Sequence, residues 1–113
     1  MIITPPLLNQ PVADRFPALE EHEVLLELVA PTAREVMVAG DFNDWRPATT
    51  PMLKTEAGDW GVHLLLRAGE YQYRFVVDGR WIEDPEADRH AANPHGGFNS
   101  VLRVPLEDLT ALL

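Results

Sequence analysis

Residues 70–83 read EYQYRFVVDGRWIE, two runs rich in aromatic and β-branched residues around the dipeptide Asp78-Gly79. That dipeptide suits a two-residue type I′ turn, whose backbone twist matches the strands it joins, so the stretch predicts a β-hairpin. With Asp78 and Gly79 in the turn, Val77 faces Arg80, Val76 faces Trp81, Phe75 faces Ile82 and Arg74 faces Glu83. Directly opposed residues share a face. Tyr71, Tyr73, Phe75 and Ile82 therefore form an apolar, core-facing side, while Gln72, Arg74, Val76 and Trp81 form the outer side, with Trp81 diagonal to Arg74.

Working outward, DWGVHLLLR (Asp59 to Arg67) alternates, with Trp60, Val62, Leu64 and Leu66 on one face and His63, Leu65 and Arg67 on the other, a half-buried strand. Upstream, Glu23 to Ala30 and Glu35 to Gly40 are strand-like and joined by PTAR, which predicts a second hairpin. Asp41 to Pro51, dense in Asn, Asp, Thr and Pro, reads as a loop, and MLKTE after it as a short edge strand. Downstream, DPEADRHAANPHGG (Asp84 to Gly97) reads as a polar loop and FNSVLRV (Phe98 to Val104) as a returning strand. These short strands, with turns at intervals of roughly 8 to 12 residues, predict an all-β fold, an antiparallel β-sandwich. The expected organisation is an extended lead-in over 1–22, the sandwich over 23–104, and a short C-terminal helix or tail over 105–113, with Leu106, Leu109 and Leu113 on one stripe.

A chain of 113 residues fits one domain. Its net charge of -9, with scattered basic residues, disfavours a nucleic-acid backbone and an anionic membrane surface and leaves a neutral ligand unaffected. There is no cysteine, hence no disulfide, thiol nucleophile or Cys-based zinc site. The N-terminal stretch has no basic leader and is broken by Pro5 and Pro6, so a soluble protein of the reducing cytoplasm is expected. Glu83, Asp84, Glu86, Asp88 and His90 make an acidic stretch that reads as solvated rather than metal-binding. A paired-carboxylate hydrolase needs a cleft that a domain this small does not offer, and no Ser-His-Asp or zinc motif is present, so no catalytic residue, metal or cofactor is expected.

The run VMVAGDFNDW, the W-G-V-H-L stretch, GEYQYRFVVDGRW, the Asp84-Pro85 pair and GGFNSVLRV occur in an order that resembles carbohydrate-binding module family 48. The resemblance spans about Glu23 to Val104 and implies an immunoglobulin-like early-set sandwich that docks on α-glucan. It implies that Trp45 and Trp81 stack on glucose rings, that Arg74 occupies the position of a hydroxyl-binding lysine, and that Asn99 bonds to hydroxyls. It puts a loop residue that props the sugar chain near His95, where an apolar residue is usual. The chemistry suits a sugar: an indole covers the flat C–H face of glucopyranose, and Arg74, Gln72 and Asn99 offer planar donors and acceptors to its hydroxyl rim.

Each residue has a plainer reading beside this one. Trp60, among alternating apolar neighbours, belongs to the core. Trp45 sits where an aromatic either caps the sandwich end or meets a ligand. Arg74 is placed for a cross-strand ion pair with Glu83, and Asn99 for satisfying a backbone group beside Gly97. The expected function is weak, non-catalytic binding of glycogen- or starch-type α-1,4-linked glucan. The alternatives are a protein-interaction module that joins a partner or a second copy through an edge strand or the C-terminal tail, and an accessory piece of a branching or debranching enzyme.

Overall fold

The computed structural model describes residues 20–106, and these form two antiparallel sheets packed face to face. The strands are β1 (Glu21–Val29), β2 (Val36–Gly40), β3 (Leu53–Lys54), β4 (Asp59–Arg67), β5 (Gly69–Val77), β6 (Arg80–Ile82), β7 (Arg89–Ala92) and β8 (Phe98–Val104). One sheet has the order β1-β4-β3 and the other β2-β5-β8-β7, with β6 pairing β5. This is the expected antiparallel sandwich. The expected C-terminal helix and most of the lead-in lie outside the described residues, and β1 begins at Glu21, two residues ahead of the expected Glu23. Among the described residues no helix is long and apolar enough to cross a membrane.

The β5–β6 hairpin has the register read from its turn: Val77 with Arg80, Val76 with Trp81, Phe75 with Ile82. Asp78 (φ 49°) and Gly79 (φ 85°) both hold the left-handed backbone that a type I′ turn requires. β6 stops at Ile82, so the expected Arg74–Glu83 pair does not form; Glu83 leaves the ladder and lies 3.1 Å from His90 Nδ1. Val76, on the outer side by register, is nonetheless buried at 3% exposure, flanked by its paired neighbours Met37 and Trp81.

β1 and β2 do not form a hairpin. β1 pairs β4 along its whole length, β2 pairs β5 in the other sheet, and residues 30–35 cross between the sheets. The crossing backbone finds its partners on the β5–β6 turn: the Asp78 carboxylate accepts the N–H groups of Arg34 and Glu35, each at 2.9 Å, and the Asp78 N–H donates to the Glu35 carbonyl at 2.9 Å. A crossover satisfied in this way carries the same local turn residues as a hairpin loop.

The interior gathers Leu26 and Leu28 of β1, Val36 and Val38 of β2, Met52, Trp60 of β4, and Tyr73 and Phe75 of β5. Trp60 is 6% exposed, and its indole N–H donates to the Ala30 carbonyl at 2.9 Å, so the large apolar ring is buried with its one polar atom satisfied. The stretch 84–97 is not all loop: Arg89–Ala92 is a strand paired to β8. RHAA shows no alternation of its own, and its pairing comes from the neighbouring backbone. Nor is Asp84 a solvated loop acid. It is buried, accepts the Tyr73 hydroxyl at 2.5 Å and the Glu86 N–H at 2.8 Å, and donates its own N–H to Ser100 Oγ at 2.8 Å. Burial first, then the hydrogen bond to Asp84 and the charge of its carboxylate, push the Tyr73 hydroxyl well above the ordinary tyrosine range, so it stays a donor.

Candidate functional site

The outer face of the β2-β5-β8-β7 sheet receives its first residues from the end of β2. Gly40 is required there by close approach, since a Cβ at that position would lie 2.6 Å from the Gln72 carbonyl oxygen and 2.8 Å from Tyr73 Cβ. A 3-10 turn, Asp41–Asn43, follows. Asn43 ties the loop together: its Oδ1 accepts the Gly40 N–H at 3.0 Å, and its Nδ2 donates to the Val38 carbonyl at 2.9 Å and to Thr50 Oγ1 at 2.8 Å. Asp44 (φ 56°) and Trp45 (φ 58°) then take left-handed backbone in succession, a costly conformation for a bulky side chain. It is held by the Trp45 N–H, which donates to the Gly40 carbonyl at 2.9 Å, and by the indole N–H, which donates to Asp41 Oδ1 at 3.1 Å. The other carboxylate oxygen of Asp41 accepts the Gln72 N–H at 2.7 Å.

β5, β6 and β8 supply the floor. Gln72 and Arg74 project from alternate positions of β5, and Trp81 stands 42% exposed on β6. Arg74 Nη2 donates to the Trp81 carbonyl at 3.2 Å, while its buried Nε has no hydrogen-bond partner among the described residues. Asn99 is only 8% exposed; its Nδ2 donates to Gln72 Oε1 at 3.0 Å and its Oδ1 accepts from Asn93 Nδ2 at 3.3 Å. The backbone beside Gly97 is satisfied by Asn93, whose Oδ1 accepts the N–H groups of His95 at 2.9 Å and Gly97 at 3.1 Å. The plainer role expected of Asn99 therefore falls to Asn93. His95 is held at the tip of this turn, exposed.

Trp45, Gln72, Arg74, Trp81, His95 and Asn99, the six residues singled out in the sequence, line one open depression of about 630 Å3, together with Asp41, Asn93 and Pro94. Trp60 is not among them. Sequence reasoning missed Asp41, whose side chain bonds Gln72 from 31 positions away, and Asn93, whose side chain organises its own turn through His95, Gly97 and Asn99; the Asn93-Pro94 dipeptide, a turn signal, was the one local hint. Chemically the surface offers two indoles, three carboxamides, an imidazole and a guanidinium, which suit a neutral polyhydroxylated ligand. The one carboxylate among the lining residues, Asp41, is already bonded to two N–H groups, so the lining residues include no pair of carboxylates for acid/base hydrolysis.

The family model described as the glycogen recognition site of AMP-activated protein kinase matches residues 29–110. Over 75 residues, 66% of this chain, the sequence is 35% identical to the beta-2 subunit of 5'-AMP-activated protein kinase from Mus musculus, and over 87 residues it is 32% identical to the Oryza sativa subsp. japonica protein FLOURY ENDOSPERM 6, chloroplastic. The matches cover 27% and 16% of those relatives, so the chain spans about a quarter or less of their length. The crystal structure of a maltogenic amylase from S. marinus superimposes with a TM-score of 0.65 at 23% identity, covering 75% of this chain and 14% of the amylase, a likeness of fold. The order of strands, the GDFNDW turn, the DGRW hairpin and the family match over most of the sandwich agree: the chain belongs to the carbohydrate-binding module family that contains the glycogen recognition site of AMP-activated protein kinase.

Proposed function

We propose that this module binds α-1,4-linked glucan of the glycogen and starch type and does not hydrolyse it. The supporting observation is the shared depression, where two indoles from separate elements flank Gln72, Arg74 and Asn99. In this reading Trp45 and Trp81 cover the apolar faces of glucose rings, Gln72, Arg74 and Asn99 bond to their hydroxyls, with Asn99 also holding the Gln72 amide through its 3.0 Å bond, and His95 props the chain from the loop. A shallow surface of this size gives micromolar to millimolar affinity, because ordering costs absorb much of a small buried area. Polymers compensate by repeating the ligand.

The proposed module occupies residues 23–104, needs no cofactor, and works in the cytoplasm as part of a glycogen-metabolising assembly. The test is native affinity electrophoresis with glycogen, amylose and cellulose, alongside a reducing-sugar assay. Retardation by the first two alone, with no sugar released, is expected; turnover that tracks the purified protein would refute the non-catalytic reading.

A second reading, a protein-interaction module, has its own observation. Leu25, Leu53 and Leu65 share the outer face of the β1-β4-β3 sheet and are 48%, 77% and 64% exposed. Sedimentation of the parent and of Leu53→Ser/Leu65→Ser addresses it: association that the double substitution abolishes, without any loss of glycogen retardation, favours this reading.

A further inference from the structure

We infer that Asp41 is a positioning residue that sets the plane of the Trp45 indole by tying it to strand β5. The ligand in this inference rests on the glucan reading above; the mechanism rests on the hydrogen-bond geometry. The β2 ladder ends where Gly40 meets Tyr73, so the Gln72 N–H lies one residue past the last backbone partner. Asp41 Oδ2 accepts that N–H at 2.7 Å, and the side chain thus prolongs the ladder in place of a carbonyl. Its second oxygen accepts the Trp45 Nε1–H at 3.1 Å. One carboxylate therefore joins a rigid central strand to a ring carried on left-handed backbone.

The geometry suits an acid at this position. Both partners are donors, and here each meets an oxygen of its own, the indole N–H on Oδ1 and the Gln72 N–H on Oδ2. A carboxamide of the same size supplies one oxygen and sets its NH2 group against the other N–H, so one bond is lost. An indole has a single polar atom, a donor, and the bond to Asp41 uses it. Trp45 is left to offer its ring face, in a fixed orientation, to whatever enters the depression.

The test uses the full chain, maltoheptaose, and the variants Asp41→Asn, Trp45→Phe and the double substitution. Three quantities are measured: the dissociation constant by calorimetry, the thermal midpoint, and the hydrogen-exchange rate of the Trp45 indole N–H by NMR. Asp41→Asn is expected to weaken maltoheptaose binding about five- to tenfold, the net scale of one ordinary hydrogen bond, and to accelerate indole exchange severalfold. In the Trp45→Phe background, where no ring N–H remains, Asp41→Asn should add no further loss. An equal loss in both backgrounds overturns the inference, because Asp41 would then act on the ligand or the fold directly; so does an unchanged affinity in Asp41→Asn. If Asp41→Asn does not fold, Asp41→Ser, too short to reach both donors, is measured with the same expectations. A parent that does not bind maltoheptaose refutes the glucan reading alone. Indole exchange needs no ligand, and an unchanged rate in Asp41→Asn would still overturn the role assigned to Asp41.

Discussion

Trp60 on β4 and Trp81 on β6 stand in opposite sheets and meet opposite fates. Trp60, paired with Leu28, faces the interior at 6% exposure, with its N–H on the Ala30 carbonyl and the Lys54 ammonium 5.7 Å from its ring. Trp81, paired with Val76, faces outward at 42% exposure, and the polar group beside it is a guanidinium on its own carbonyl. The residue type is the same; what differs is which side of its sheet the strand register assigns it. A sandwich gives every strand one face for cohesion and one for recognition, so the two roles can be altered separately.

That separation is open to direct attack. Trp60→Ala should cost about 3 to 5 kcal/mol of folding stability by leaving a cavity under β4, read from denaturant melts, while the fraction still folded binds sugar like the parent. A parent-like melt would erase the distinction between the two indoles. Trp81→Ala should do the converse, weakening maltoheptaose binding by about 1 to 3 kcal/mol in a calorimetric titration with stability changed by no more than about 0.5 kcal/mol. If it melts like the Trp60 variant, the outer face is structural.

Asp84→Ala sharpens the comparison from the interior side. It strips the buried Tyr73 hydroxyl of its acceptor and should cost about 1 to 3 kcal/mol in chemical denaturation, with sugar affinity retained. The smallest effect is on pH. Tyr73 is raised in the fold, so its contribution to stability is complete below the unfolded tyrosine value of about 10 and is lost as pH climbs above it, because the unfolded chain then ionises while the folded one stays protonated. Denaturant midpoints measured between about pH 8 and pH 11 should fall more steeply for the parent than for Tyr73→Phe. Parallel curves would contradict the assignment.

Legibility in the sequence followed how local each determinant is. Asp78-Gly79 specifies turn type and register together, so Trp81, Arg74 and Gln72 could be put on one outer face, and the alternation of Asp59–Arg67 was enough to bury Trp60. The β1–β2 connection misled because a hairpin and an inter-sheet crossover share the same turn residues; what tells them apart is Asp78, 44 positions from Arg34. Asp41 and Asp84 look like ordinary loop acids until Gln72 and Tyr73 are brought beside them. Trp45, Asn99 and His95 could be attached to the surface only through the family resemblance, since no periodicity links a turn, a strand start and a distant loop.

The loop that carries Trp45 has a consequence for rates. Its left-handed pair at Asp44 and Trp45 and its Asn43 lattice are held by hydrogen bonds within the chain itself, so the loop draws none of its shape from a ligand and no folding step need accompany binding. Stopped-flow mixing with maltooligosaccharide should therefore give one exponential whose observed rate rises in proportion to ligand concentration without levelling off, and weak binding should reflect a short residence time rather than a slow encounter.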